Sequence, residues 1–284
     1  MINAVVAKKY VWGLFNPKPF EDAYRYDERE GLIVVADGIT RDPKGMSVLP
    51  EKRSIVGGVK FVLKYKKPSD AKKAANTFSD KAFDSMKGFN RNNRDELAVL
   101  QSFIRGNKAV DSLNKQYNPY PDYLENDYFG CVAAIASIQR GVLTYGFISD
   151  CGVAVFDVNG NLQFKTNDEG PNSKGSIDNE IYERYSERFN NPDGRKRIRS
   201  EYRNNPANPL AYGALTGEGS AIGYVKTGQR NLTPGDFVFV YSDGLEHVLQ
   251  LGEFSDKVRN GDIAGIEKLC QKKVKTEGTL VYSC

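Results

Sequence analysis

The stretch "DFVFVYSDGLEHVL", residues 236–249, carries strand-forming residues into Ser242, Asp243 and Gly244 and turns at once into a helical texture. "LIVVADG" (32–38) makes the same transition far earlier in the chain, and "YGFISDCG" (145–152) comes close to it. Asp37, Asp150 and Asp243 therefore each end an apolar, β-branched or aromatic run. Asp-Gly and Asp-Cys-Gly are also ordinary turn sequences, in which the aspartate caps its own turn. If the three strands are neighbours in one core, their ends present several carboxylates on a shared edge. Carboxylates that close cannot all stay ionised without a compensating charge, so either their pKa values rise or cations lie among them.

The donor chemistry narrows the cation. His247 is the sole histidine, and Cys131, Cys151, Cys270 and Cys284 show no CxxC spacing. All-oxygen ligation then points to Mg²⁺ or Mn²⁺ rather than zinc. Glycine after Asp37 and Asp243 lets backbone approach an ion closely, which makes the Gly38 carbonyl a candidate ligand.

Outward from these strand ends, "AYRYDEREGLIVVADG" (23–38) reads as a hairpin, with strand-like runs at 22–26 and 32–36. "SDAKKAANTFSDKAFDSMKGF" (69–89) spaces Ala71, Ala75, Phe78, Ala82, Phe83 and Met86 as one helix face, with Ser69 or Asp70 as N-cap. "RDELAVLQSFIRGNKAVDSLNKQY" (94–117) predicts a second amphipathic helix with Leu97, Leu100, Ile104, Ala109 and Leu113 facing the core, stopped by "NPYPDY". "CVAAIASI", "VLTYGFIS", "GVAVFDV" and "LQFKT", between residues 131 and 166, predict a four-stranded meander, with Asn159-Gly160 as its sharpest turn cue.

Residues 168–212 are polar, with helical texture at 181–189 and 195–202, and are expected to form an excursion from the core. Sheet texture resumes at "SAIGYVKTG" (220–228) and 236–244, a helix is expected over 263–273, and "GTLVYS" (278–283) closes as a strand. Two helical blocks between hairpin-connected strands favour α+β with antiparallel sheets over a doubly wound parallel sheet. Without a visible repeat or linker, residues 1–284 are expected to form a single domain.

Hydrophobic residues at 40% and charged residues at 27% leave enough apolar material for a core, so disorder is not expected over most of the chain. The formal charge of +4 is spread among acidic residues, which argues against a dedicated nucleic-acid binder. "KYKK" (64–67) and "GRKRIRSEYR" (194–203) are local exceptions, each read first as a solvated face. No apolar run reaches the ~18 residues of a membrane span, and "MINAVVAKKYVW" lacks the form of a secretory leader. A cytoplasmic protein with reduced thiols, not bound to membrane and acting as a monomer, is the expectation.

In order and rough spacing, "FED" (20–22), "VVADG" (34–38), "GCVA" (130–133), "GFISDCGVAVFD" (146–157), "LTPGD" (232–236) and "FVYSDGLEHVL" (239–249) resemble the metal-dependent serine/threonine phosphatases of type 2C, the PPM family. The resemblance spans residues 16–282. It implies a central β-sandwich of two antiparallel sheets flanked by helices, with a dinuclear Mg²⁺ or Mn²⁺ centre at one end. It further implies that Asp37 bridges the ions, that Gly38 gives a main-chain oxygen and that Asp243 is a direct ligand. Glu21 and Asp22 match the acidic pair that holds metal-coordinated waters, and Asp150 matches an aspartate of a third, weaker site. The implied reaction is hydrolysis of phosphoserine or phosphothreonine in a protein substrate, by a water activated between the two ions.

The match departs from the family in three places. "DG" is followed by Ile39-Thr40-Arg41, where the family usually has a variable residue and Gly-Gly, and some members a histidine after "DG". The family's last metal aspartate aligns with Thr276 and Glu277, so either Glu277 serves as that ligand or it is a solvated loop residue and the ligand is missing. The basic residue that grips substrate phosphate has Lys18 as its nearest candidate, with Arg25 as the alternative. His247 is read as structural or exposed. Two rivals follow: a catalytically inactive relative that binds phosphoproteins or regulates, and a plain α+β interaction protein whose Asp-Gly pairs are only turns.

Overall fold

In the computed structural model, residues 2–8, 20–39, 69–171, 192–274 and 277–283 are described. In chain order they form β1 (Ile2–Lys8), β2 (Ala23–Asp27), β3 (Leu32–Gly38), α1 (Asp70–Gly88), α2 (Glu96–Tyr117), β4 (Cys131–Gln139), β5 (Val142–Ile148), β6 (Gly152–Phe156) and β7 (Leu162–Lys165). There follow α3 (Pro192–Arg197), β8 (Lys226–Asn231), β9 (Phe237–Tyr241), α4 (Asp243–Glu246), α5 (Gly252–Arg259), α6 (Ile263–Lys273) and β10 (Glu277–Ser283). One sheet has the order β1-β10-β9-β6-β7 and the other β2-β3-β4-β5-β8. Every strand pair is antiparallel.

The strand "FVFVY" of β9 explains the layering. Val238 and Val240 join the apolar cluster that also holds Val34, Ile135 and Phe147 of the other sheet, while Phe239 and Tyr241 join a second cluster with Leu245, Phe254 and Ile266 of the helices. Successive side chains on a strand point to opposite faces, so this alternation covers one sheet with β-sheet on one side and helices on the other. In β3 the run Leu32 to Ala36 is buried throughout, as a strand covered on both faces requires. The result is an α+β sandwich of two antiparallel sheets with α1 and α2 outside one and α5 and α6 outside the other.

Local signals set the helix starts. Ser69 Oγ accepts from the Lys72 amide at 3.1 Å at the start of α1, and Asp95 Oδ1 accepts from the Ala98 amide at 2.9 Å at the start of α2. Each satisfies a donor that the first helical turn leaves without an internal partner.

Several sequence expectations are corrected. The strands of 131–165 exist but are not one meander: β4 and β5 belong to one sheet and β6 and β7 to the other. The switch falls at Ser149, whose φ of 64° turns the chain out of the first sheet. Helix α2 packs Leu113 of the expected face against the core but turns Leu97 and Ile104 outward. These two are exposed, at 59% and 44%, whereas Ala98, Val99, Ser102, Phe103, Gly106 and Val110 are buried. Small side chains on that face let α2 close on α1, with the Phe78 and Phe103 rings 5.4 Å apart, and close approach outweighs side-chain size.

Residues 219–224 form a short 3-10 turn before β8 begins at Lys226. The basic stretch 194–203 is not a uniformly solvated face, because Arg199 and Arg203 are buried. Both bond Asp127, at 2.9 and 3.5 Å. The expected helix at 181–189 and the basic run 64–67 lie outside the described residues. Among the described residues no helix is long and apolar enough to cross a membrane.

The α2 face gives a direct test. Phe103→Ala is expected to cost about 3–5 kcal/mol of unfolding free energy, and Leu97→Ala no more than about 0.5 kcal/mol, by chemical denaturation. Equal losses at the two positions would contradict the buried face described here.

Candidate metal centre

The candidate acidic residues that can be placed lie at one end of the sandwich. Asp37 stands next to Gly38, the last residue of β3, which pairs with Cys131 at the start of β4. Ala23 pairs with Ala36, so Glu21 and Asp22, just before β2, come beside Asp37. Asp150 follows β5, whose Ile148 pairs with Ala133. In the other sheet Tyr241 pairs with both Leu280 and Gly152, which carries Ser242 and Asp243 to the start of β10, where Glu277 lies.

Hydrogen bonds tie these ends together. Ser242 Oγ donates to Asp22 Oδ2 at 2.7 Å and accepts from the Thr279 amide at 2.9 Å. The Glu21 amide donates to Glu277 Oε2 at 3.1 Å, and Lys72 Nζ donates to the Asp22 carbonyl oxygen. Two glycines make the approach possible. A Cβ on Gly244 would fall 1.7 Å from the Glu277 carbonyl oxygen, and one on Gly38 would fall 2.5 Å from the Ala71 carbonyl oxygen. The glycines after Asp37 and Asp243 therefore each admit a neighbouring backbone.

Electrostatically the group is strained by like charge. Burial first, and then the charges of Asp22, Asp243 and Asp150, hold the Asp37 carboxyl well above the usual carboxylate range. Burial also pushes Asp22 up, against the lowering effect of the Ser242 hydroxyl. Asp150 is pushed up to about 8 by burial and by the neighbouring charges of Asp243 and Asp168. Asp168 itself is raised, chiefly by burial. On the cationic side, burial lowers the Lys72 ammonium, partly offset by Asp22 and Glu277.

The side chains present fit a hard divalent cation by their donor chemistry. They are carboxylates and a carbonyl, the oxygen ligands that Mg²⁺ and Mn²⁺ take. Asp22 Oδ1 and Asp150 Oδ1 are buried without a hydrogen-bond partner among the described residues. Such orphaned oxygens call for an ion, a water or a proton. Among the described residues no group of three or more His, Cys, Asp or Glu side chains is arranged to hold a metal ion, so the fit is one of composition and position.

Of the remaining candidates, Lys18 lies outside the described residues. Arg25 is committed elsewhere, with its Nε 2.6 Å from Asp80 Oδ1. His247 Nε2 is 2.9 Å from the Lys273 carbonyl oxygen, a structural contact. Glu277 is buried, which removes the solvated-loop reading of it. Ser242, Thr279, Lys72 and Asp168 were missed from sequence. Ser242 had a signal, since it directly precedes Asp243 in the motif. Lys72 had none, because a helix residue far along the chain meets Asp22 only through the fold.

Neither a protein-family model nor a curated protein matches the sequence. Solved structures do. The serine/threonine phosphatase PstP/Ppp of Mycobacterium tuberculosis has a TM-score of 0.58 at 14% identity, over 99% of this chain and 97% of that one. The catalytic domain of PstP in complex with two manganese ions has a TM-score of 0.56 at 15% identity, over 99% and 96%. PppA, a regulatory component of the type VI secretion system in Pseudomonas aeruginosa, has a TM-score of 0.59 at 12% identity, over 99% and 96%. The chain thus has the fold of the type 2C, or PPM, serine/threonine phosphatases.

The carboxylate cluster predicts how stability responds to pH. Burial and the charges of Asp243 and Asp168 push Asp150 up to about 8 in the folded state against ~3.9 when unfolded, so the folded state holds its proton more tightly. The stabilisation is complete below about pH 4 and is lost as pH rises through about 8. Asp22 and Asp37 act in the same direction. In EDTA the melting temperature is expected to fall between pH 5 and pH 8.5, and Asp150→Asn to flatten that fall. Mn²⁺ is expected to raise the melting temperature more at pH 8 than at pH 6. An EDTA profile that rises with pH, and is unaffected by the substitution, would contradict the assignment.

Proposed function

We propose that this chain is a metal-dependent phosphatase that hydrolyses phosphoserine and phosphothreonine in proteins. The observation that carries the reading is the mutual charge among Asp22, Asp37, Asp150 and Asp243 at one end of a sandwich of phosphatase fold, with one oxygen each of Asp22 and Asp150 buried without a hydrogen-bond partner among the described residues. Turn-capping aspartates have no reason to gather where each raises the proton affinity of the next.

In this reading Asp37, the Gly38 carbonyl and Asp243 hold two divalent ions, Mg²⁺ or Mn²⁺. Glu21 and Asp22 act from the neighbouring strand end, Asp150 supports a weaker third ion, and Glu277 stands in for the family's last aspartate. Bound ions supply Lewis acidity, which draws charge from the phosphoryl oxygens and lowers the pKa of a water. The chain's own task is to hold acceptors rigidly at strand ends before the substrate arrives. Ser242 fixes one oxygen of the Asp22 carboxylate, and the other is buried without a hydrogen-bond partner among the described residues. Ile39 offers no proton to the leaving group, so protonation falls to solvent. Lys18 is retained as the candidate phosphate-gripping residue. The free, buried thiols of Cys131, Cys151 and Cys270 support action in the reducing cytoplasm.

A second reading has one specific observation in its favour. Glu277 Oε2 already accepts the Glu21 amide, so the last ligand is partly engaged, and an inactive relative that binds phosphoproteins would need no complete centre.

Hydrolysis of p-nitrophenyl phosphate and of a phosphothreonine peptide, with Mn²⁺, Mg²⁺ or EDTA, separates the two. Turnover is expected with either metal and none in EDTA. Asp37→Asn and Asp243→Asn are each expected to lower kcat by at least ~100-fold, the scale of a lost electrostatic group at the reacting centre. Folded protein without turnover in any metal would favour the binding module.

A further inference from the structure

Strand β8 ends its sheet among the described residues, so one of its edges faces away from β5. The register shows which backbone groups lie on that edge. The Leu232 amide donates to the Gly141 carbonyl at 2.7 Å, and the antiparallel ladder continues from there with Asn231 opposite Val142 and Arg230 opposite Leu143. Hydrogen-bonded and non-hydrogen-bonded pairs alternate along such a ladder. Arg230, Gly228 and Lys226 therefore turn their amides and carbonyls to β5, and Thr227, Gln229 and Asn231 turn theirs outward.

The two faces beside this edge differ in chemistry. Gly146 of β5 lies opposite Thr227, and a Cβ on Gly146 would fall 2.6 Å from Val99 Cγ1 of α2. The side chains of Thr227, Gln229 and Asn231 thus share the helix face, where Thr227 Oγ1 donates to Glu96 Oε2 at 2.8 Å. Glu96, Leu100 and Ile104 follow one another at four-residue spacing on one side of α2, and Leu97 adjoins them. The side of α2 that meets β8 therefore continues as an apolar stripe, of which Leu97 and Ile104 are exposed. The opposite face of β8 is basic. Lys226 is exposed there, and the Arg230 guanidinium lies 5.4 Å from the centre of the Phe164 ring.

These features specify an occupant. An open edge takes an extended chain through main-chain hydrogen bonds, and the groups that flank it select alternate side chains. A strand added to β8 would lay one set of side chains along Leu97, Leu100 and Ile104 and the other beside Lys226 and Arg230. Leu97 to Ile104 covers about 10 Å of helix, room for two same-face strand residues about 6.7 Å apart. Apolar residues suit the first set and acidic residues the second. A second copy of β8 does not qualify, because pairing would bring the basic residues of both strands together.

We propose that the β8 edge and the adjoining α2 stripe dock an extended segment of a partner protein in which apolar and acidic residues alternate. No residue of the metal centre enters this inference, so it stands apart from the phosphatase reading.

Short fluorescein-labelled peptides that alternate valine with glutamate test it by anisotropy on the full chain. Saturable binding is expected, at least about tenfold tighter than for the same peptide with lysine in place of glutamate, or with its residues in scrambled order. N-methylation of one alternate set of peptide amides should abolish binding, and of the other set leave it, because an added strand uses one edge only. Gln229→Pro removes an outward amide and spares the pairing with β5. That variant, and the double substitution of exposed residues Leu97→Glu with Ile104→Glu, should each weaken binding at least about tenfold. Lys226→Glu should reduce the preference for glutamate over lysine, and all three proteins should hydrolyse p-nitrophenyl phosphate as the native chain does. The proposal is overturned if no peptide binds saturably, if both N-methylated sets bind alike, if the lysine peptide binds as well, or if the variants keep full affinity.

Discussion

The Ser242 hydroxyl joins the two sheets at the end where the carboxylates meet. It follows β9 in one sheet, takes the Thr279 amide of β10 in the same sheet, and donates to Asp22 at the entrance to β2 in the other. With the Glu21 amide bond to Glu277 Oε2, this side chain ties the two sheets together at the acidic edge, in a buried setting where a lost partner leaves a costly unpaired group. The positions of Asp37, Asp150 and Asp243 follow from that closure, because each ends a strand whose register is fixed by its neighbours. Gly38 and Gly244 are the sequence's accommodation to it, since a side chain at either would strike a neighbouring carbonyl.

A sandwich closed in this way gathers like charge. Asp22, Asp37 and Asp150 all bind protons more tightly than free carboxylates, burial being the first cause for each. Among the described residues, nearby cations offset little of this. Lys72 turns its ammonium to a backbone carbonyl, and Lys165 pairs with Glu246. What remains is a cluster of carboxylates that hold protons tightly, and in the proposed function metal would replace those protons, so that folding stability and activity would share one edge of the molecule.

The strands that build this edge were legible because their apolar runs end abruptly in Asp-Gly or Asp-Cys-Gly, and the site candidates came with them. Less was legible where packing overrides pattern. Leu97 and Ile104 mark an apolar stripe that the fold leaves in solvent, while the smaller face with Gly106 is buried because it permits closer contact with α1. The sheet switch after β5 was hidden, since hairpin-like spacing is the same whether the next strand continues the sheet or crosses to the other. Strand β1 was not anticipated, because its pairing with β10 joins the two ends of the chain. Arg199 and Arg203 looked like a solvated basic run, and only the fold reveals the shared Asp127 that makes their burial affordable. Glu277 is the subtlest case: a one-residue offset separates a ligand position from a loop, and no sequence periodicity resolves it.

The acidic strand ends are proposed to form a divalent-metal site, and counting bound ions tests this without any assay of turnover. A Mn²⁺ titration followed by electron paramagnetic resonance, at pH 7.5 and fixed protein concentration, reports free ion directly. Saturable uptake of at least two ions by the native chain is expected, with loss of the tight sites in Asp37→Asn. Folded native protein that leaves all of the Mn²⁺ free would contradict it.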